Sequence, residues 1–83
     1  MIFSVTWIPS AIQELAHLWN TAADRNAVAK AADKIDVLLR KDPQTVGESR
    51  AGTRRVVGEP PLVVFFNVLE EDRMVQVLKV VRM

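Results

Sequence analysis

Five cations are the side chains of this sequence best suited to chemistry: Arg50, Arg54 and Arg55 lie close together, and Lys79 and Arg82 stand near the end of the chain. A guanidinium presents a planar fork of donors and an ammonium a compact point charge, the two groups that hold phosphate oxygens or carboxylates. Histidine is the residue type that exchanges protons near neutral pH. His17 is the single histidine, and its place on a polar helical arc reads as an exposed bystander rather than a catalytic base. Glu70, Glu71 and Asp72 are adjacent. With no second acidic cluster to complete a metal site, they read as a solvated turn. Cysteine is absent, which removes thiol nucleophiles and Cys-based metal sites, and one histidine cannot build a zinc site of several imidazoles. Gly47, Gly52 and Gly58 lack phosphate-loop spacing. Neither a metal nor a nucleotide or other small-molecule cofactor is expected.

The whole chain gives these cations little background. It has 83 residues, with 11 Lys plus Arg against 10 Asp plus Glu, a formal charge of +1. Net charge alone therefore argues for no nucleic-acid partner, and a cationic site must come from local gathering. Hydrophobic residues at 49% and charged residues at 25% fit one soluble globular domain over residues 1–83. No run approaches the roughly 18 apolar residues of a membrane span, and Met1-Ile2-Phe3 lacks a basic secretory leader. A cytoplasmic protein with no membrane partner is the expectation.

The elements that must position the cations follow from hydrophobic period. Ile2, Phe3, Val5 and Trp7 alternate with Ser4 and Thr6 as a strand. Pro9 suits a first helical turn, with Ser10 an alternative N-cap paired to Gln13. Ile12, Leu15, Trp19, Ala22 and Ala23 then form an apolar stripe, opposite Gln13, Glu14, His17, Asn20 and Thr21. Trp19 is therefore read as core rather than as a base-stacking platform. Asp24 caps a second helix whose stripe is Val28, Ala31, Ala32, Ile35, Leu38 and Leu39, with Val37 facing outward. Asp36 and Arg40 stand four apart in the favourable order, and Pro43 ends the helix. A short connection makes the two helices an antiparallel hairpin.

Gln44 to Thr53 shows no period and reads as a flexible polar loop. Strands follow at Arg54 to Gly58, at Leu62 to Leu69 and at Met74 to Val81. The near-continuous apolar run of the middle one suits a central strand covered on both faces. The expected fold is α+β: a β-α-α-β-β-β two-layer sandwich, its helical hairpin packed on one face of a mainly antiparallel four-stranded sheet. The other sheet face stays partly open. The meander is expected to bring the entry of the second strand to the exit of the last, so that all five cations converge on one edge.

On these fragments the chain resembles the RelE/ParE superfamily of type II toxin–antitoxin toxins. The resemblance spans nearly the whole length: the opening strand into Trp7-Ile8-Pro9, the helical hairpin, the stretch Gly47 to Val56, and the closing Val77-Leu78-Lys79-Val80-Val81-Arg82. It implies a small toxin, of the kind tied to plasmid stabilisation, neutralised by a cognate antitoxin. RelE-like members enter the ribosome and cut mRNA as metal-independent endoribonucleases; ParE-like members poison DNA gyrase. A member without catalysis would keep only antitoxin binding. Residue by residue, Arg54 and Arg55 match basic positions of the RelE pattern on the second strand, and Arg82 matches one at the end of the last. Lys79 is the one candidate proton acceptor beside them, and Arg50 completes the expected nucleic-acid-binding set. Two parts of the pattern are missing: Val63 stands where an arginine is usual, and no C-terminal tyrosine follows.

Overall fold

A computed structural model describes residues 2–83. Its elements are β1 (Ser4–Trp7), α1 (Pro9–Thr21), α2 (Arg25–Lys41), β2 (Glu48–Ser49), β3 (Arg54–Glu59), β4 (Leu62–Leu69) and β5 (Met74–Arg82). The sheet runs β1-β5-β4-β3-β2, with β1 parallel to β5 and the other neighbours antiparallel. The α+β sandwich and the hairpin match the sequence reading; the sheet has five strands rather than four.

The additional strand lies inside the stretch that reads as a flexible loop. Arg55 fixes it: the guanidinium donates from Nε to the Val46 carbonyl at 3.0 Å and from an Nη to the Gly47 carbonyl at 3.1 Å. Glu48 and Ser49 then pair with Val56 and Arg55. Gly47 holds a φ of +69°, and a side chain there would run into the Val56 carbonyl. Only glycine fits both the backbone angle and that approach.

The helices begin and end for local reasons. Pro9 is the first residue of α1 and Ile8 its N-cap, with no side-chain cap, so Ser10 lies inside the helix rather than at its boundary. Asp24 caps α2 as expected, accepting from the Ala27 N–H at 3.2 Å. Asp36 and Arg40 pair at 2.7 Å. In α2, Val28, Ala31, Ile35 and Leu39 are buried, in agreement with the period. In α1 the buried side is rotated: Ala11 is fully enclosed and Leu15, Leu18 and Ala22 pack beside it, while Ile12 is 54% and Trp19 41% exposed. The small Ala11 side chain allows close approach to the sheet. Trp19 is thus not core; its ring lies under the Arg25 guanidinium, 4.8 Å from the centroid.

Both helices cover one sheet face. Leu62, Val64, Phe66 and Val68 of β4 and Val75, Val77 and Val80 of β5 point into that layer and are buried. Val63, Phe65, Asn67 and Leu69 point the other way and are half-buried. The central strand is therefore covered on one face only, because the chain supplies a single helical layer.

Candidate functional site

Side-chain parity and one bulge decide which cations meet. Neighbouring residues on a strand face opposite ways, so Arg54 and Arg55 must part. Arg54 pairs with Asn67 on the uncovered face, while Arg55 pairs with Phe66 on the helix side. In β5 the register slips: Phe65 faces Lys79 but Phe66 faces Val77. This bulge keeps Val77 and Val80 in the core and turns Lys79 onto the open face beside Phe65. Arg82, opposite the buried Leu62, follows Val80 to the helix side.

Arg50, Arg54 and Lys79 consequently line one open-face groove with Phe65, Leu78 and Val81. The backbone N–H of Arg50 donates to the Arg54 carbonyl at 2.8 Å, which tethers the loop cation to the head of β3. All three cations are exposed. Among the described residues, no ion pair or side-chain hydrogen bond engages their charged groups. Among the described residues, no carboxylate lines the groove. It offers three free positive charges around an apolar floor, an arrangement that attracts phosphates or carboxylates and leaves flat apolar surface between them.

Two of the five cations are elsewhere, and the expected convergence is corrected accordingly. Strands β3 and β5 are two antiparallel steps apart and run in the same direction, so the head of β3 lies level with the head of β5, not its end. Arg82 is about 20 Å from Arg54 along and across the sheet, on the opposite face. It lines a separate groove between α1 and β5 with Ser10, Gln13, Glu14 and His17. His17 thus lies away from the three-cation groove but shares a surface with Arg82. Arg55 is held by the two loop carbonyls and lines a further pocket with Gln44, Ser49 and the acidic turn Glu70 to Asp72. Among the described residues, no three His, Asp or Glu side chains gather to hold a metal ion. Among the described residues, no helix is long and apolar enough to cross a membrane.

Two residues have roles that the sequence pattern does not announce. Glu14 belongs by period to the polar arc of α1, yet its carboxylate accepts from the Val80 N–H at 3.0 Å and ties α1 to the edge of β5. Phe65 belongs to a run that suits a doubly covered strand, yet it lies on the open face. The adjacent Phe65-Phe66 pair holds the signal: two neighbours on a strand cannot share a face, and only one face has helices to cover it.

No family model matches the sequence, and no curated protein sequence does either. Solved structures do. The toxin–antitoxin complex RelBE2 from Mycobacterium tuberculosis contains a chain that aligns over 100% of this one and 93% of its own length, with a TM-score of 0.80 at 16% identity. A chain of the chromosomal ParDE system from P. aeruginosa aligns over 99% and 97%, with a TM-score of 0.72 at 18% identity. TrmO from Pseudomonas aeruginosa aligns over 96% of this chain but 35% of its own, with a TM-score of 0.67 at 21% identity. The chain has the fold of the RelE- and ParE-type toxins.

Proposed function

We propose that this protein is the toxin of a toxin–antitoxin pair, neutralised by a cognate antitoxin, and that it acts on the RNA backbone through the open face of its sheet. The observation that carries this reading is the groove of Arg50, Arg54 and Lys79: three unpaired cations on an uncovered surface, in a fold shared with chains of RelBE2 and ParDE. Fold does not fix chemistry, so the reading rests on the groove as much as on the likeness.

For RelE-like cleavage, the ribose 2′-hydroxyl attacks the adjacent phosphorus and the bond to the 5′-oxygen of the next nucleotide breaks. The products are a 2′,3′-cyclic phosphate and a 5′-hydroxyl. Arg50 and Arg54 stabilise the negative charge that builds on the phosphoryl oxygens. Lys79 is the one groove side chain able to exchange a proton: as the ammonium it hands one to the departing 5′-oxygen, while the 2′-hydroxyl proton passes to solvent. Arg55 and Arg82, matched to the RelE pattern by sequence, act here by holding the loop and by serving the α1–β5 groove.

The test is to add the purified protein to translating ribosomes and map new 5′ ends on the mRNA. Cuts that disappear with Arg54→Ala and Lys79→Ala support the nuclease reading. A second reading follows from the apolar floor of the groove, Phe65, Leu78 and Val81, which suits contact with a protein as in a ParE-like gyrase inhibitor. Loss of gyrase supercoiling without mRNA cuts selects it. If expression without antitoxin leaves growth unaffected, the toxin reading fails.

A further inference from the structure

The groove contains an aromatic ring that phosphate binding does not require. The chain has two Trp, three Phe and no Tyr. Phe3 and Phe66 are buried in the core, and Trp7, opposite Val77, packs against it. Trp19 lies on α1 beneath Arg25. Phe65 is the aromatic of the uncovered sheet face, half-buried, at the centre of the sheet. Its cross-strand neighbours are Val56 and Lys79, and Arg54 stands two positions along β4, opposite Asn67. Directly opposed side chains on a sheet are about 5 Å apart and diagonal ones within reach of long side chains. Phe65 therefore sits between two cations on separate strands.

We propose that Phe65 is a stacking platform for an unpaired base, and that the occupant of the groove is single-stranded RNA, its phosphates held by Arg50, Arg54 and Lys79 on either side. This rests on the function proposed above and specifies its substrate: the strand must be unpaired at the point of contact, because a base within a duplex has no free face to lay on the ring. Charge complementarity selects the polyanion, since among the described residues no carboxylate lines the groove. The ring selects nucleic acid over other polyanions, since stacking on an aromatic gains affinity only from a planar partner. Every base has such a face, so this contact positions the strand without reading its sequence.

The test measures binding of a fluorescently labelled RNA octamer, and of inorganic polyphosphate by competition, to the full chain and four variants. Phe65→Leu keeps an apolar side chain at a half-buried position and is expected to weaken RNA binding about tenfold while leaving polyphosphate unchanged. Phe65→Trp is expected to restore RNA binding, and unlabelled RNA, but not polyphosphate, is expected to quench the fluorescence of the added indole. Arg54→Ala and Lys79→Ala are expected to weaken both ligands. Should Phe65→Leu bind RNA as the unmodified chain does, or should RNA leave the fluorescence of the Phe65→Trp variant unchanged, the platform is overturned even if both charge variants still lose affinity. If RNA does not bind, or binds regardless of Arg54 and Lys79, the groove reading falls with it.

Discussion

The two faces of β4 are built from the same kind of residue and meet different surroundings. On the covered side, Leu62, Val64 and Phe66 are wholly removed from solvent beneath two helices. On the other, Val63, Phe65 and Leu69 are only half-buried, and cations stand around Phe65. One strand thus carries a face packed into the core and a face left open, and the hydrophobicity of its sequence does not tell them apart. What separates them is the count of helical layers.

The sharpest way to break this contrast is to truncate the two adjacent phenylalanines. Phe66→Ala removes a ring with no exposed surface and is expected to cost about 3–5 kcal/mol of folding stability. Phe65→Ala removes a half-buried ring from the open face and is expected to cost roughly half of that or less. Urea unfolding of both variants measures the difference. Equal losses would mean that the open face is covered in solution.

The glycines sharpen the same division in the backbone. Gly47 and Gly52 both hold positive φ, +69° and +62°. Around Gly52 there is open space, whereas a side chain at Gly47 meets the β3 backbone at Val56. Gly47→Ala is expected to cost about 2–4 kcal/mol, strain and displacement of β2 together. Gly52→Ala carries only the conformational term, about 1 kcal/mol. Thermal unfolding of the pair checks the order.

Much of the architecture is legible in the sequence because it follows from local rules. The stripe of α2, the Asp24 cap, the Asp36–Arg40 pair and the meander of β3, β4 and β5 each depend on residues close together in the chain. The buried face of α1 is not, because Ile12 and Trp19 satisfy the period as well as Ala11 and Leu18 do. Close packing favours the small alanine, a choice that only the facing sheet makes. The cation cluster is legible in part. Arg54 and Arg55 are one apart and Lys79 and Arg82 three apart, so each pair has to split between faces by strand parity alone. Which member reaches the open face depends on a bulge at Leu78-Lys79, announced faintly by the shift from Val75 and Val77 to Val80. Strand β2 is not legible. Two polar residues carry no period, and its order comes from Arg55 reaching across to Val46 and Gly47.

That contact separates the two arginines energetically. Arg55→Met keeps the stem but deletes the donors to two backbone carbonyls, and is expected to cost about 1–2 kcal/mol. Its effect on RNA binding should follow the loss of fold. Arg54→Met removes an exposed group with no partner among the described residues, and stability is expected to stay within about 0.5 kcal/mol. Chemical denaturation of both variants gives the comparison, and a reversed order would mean that the two residues have exchanged faces.

The smallest expected effect is also the most specific to the open face. If three cations each neutralise one phosphate of single-stranded RNA, the logarithm of affinity falls against the logarithm of salt with a slope of about −2. Arg54→Met should make that slope shallower by about 0.7 with the melting temperature unchanged. Arg82→Met, on the other side of the sheet, should leave the slope where it was. Equal changes from both would show that RNA sees only the total charge of the chain. A change confined to Arg54 requires the strand to lie on the open face, between β3 and β5.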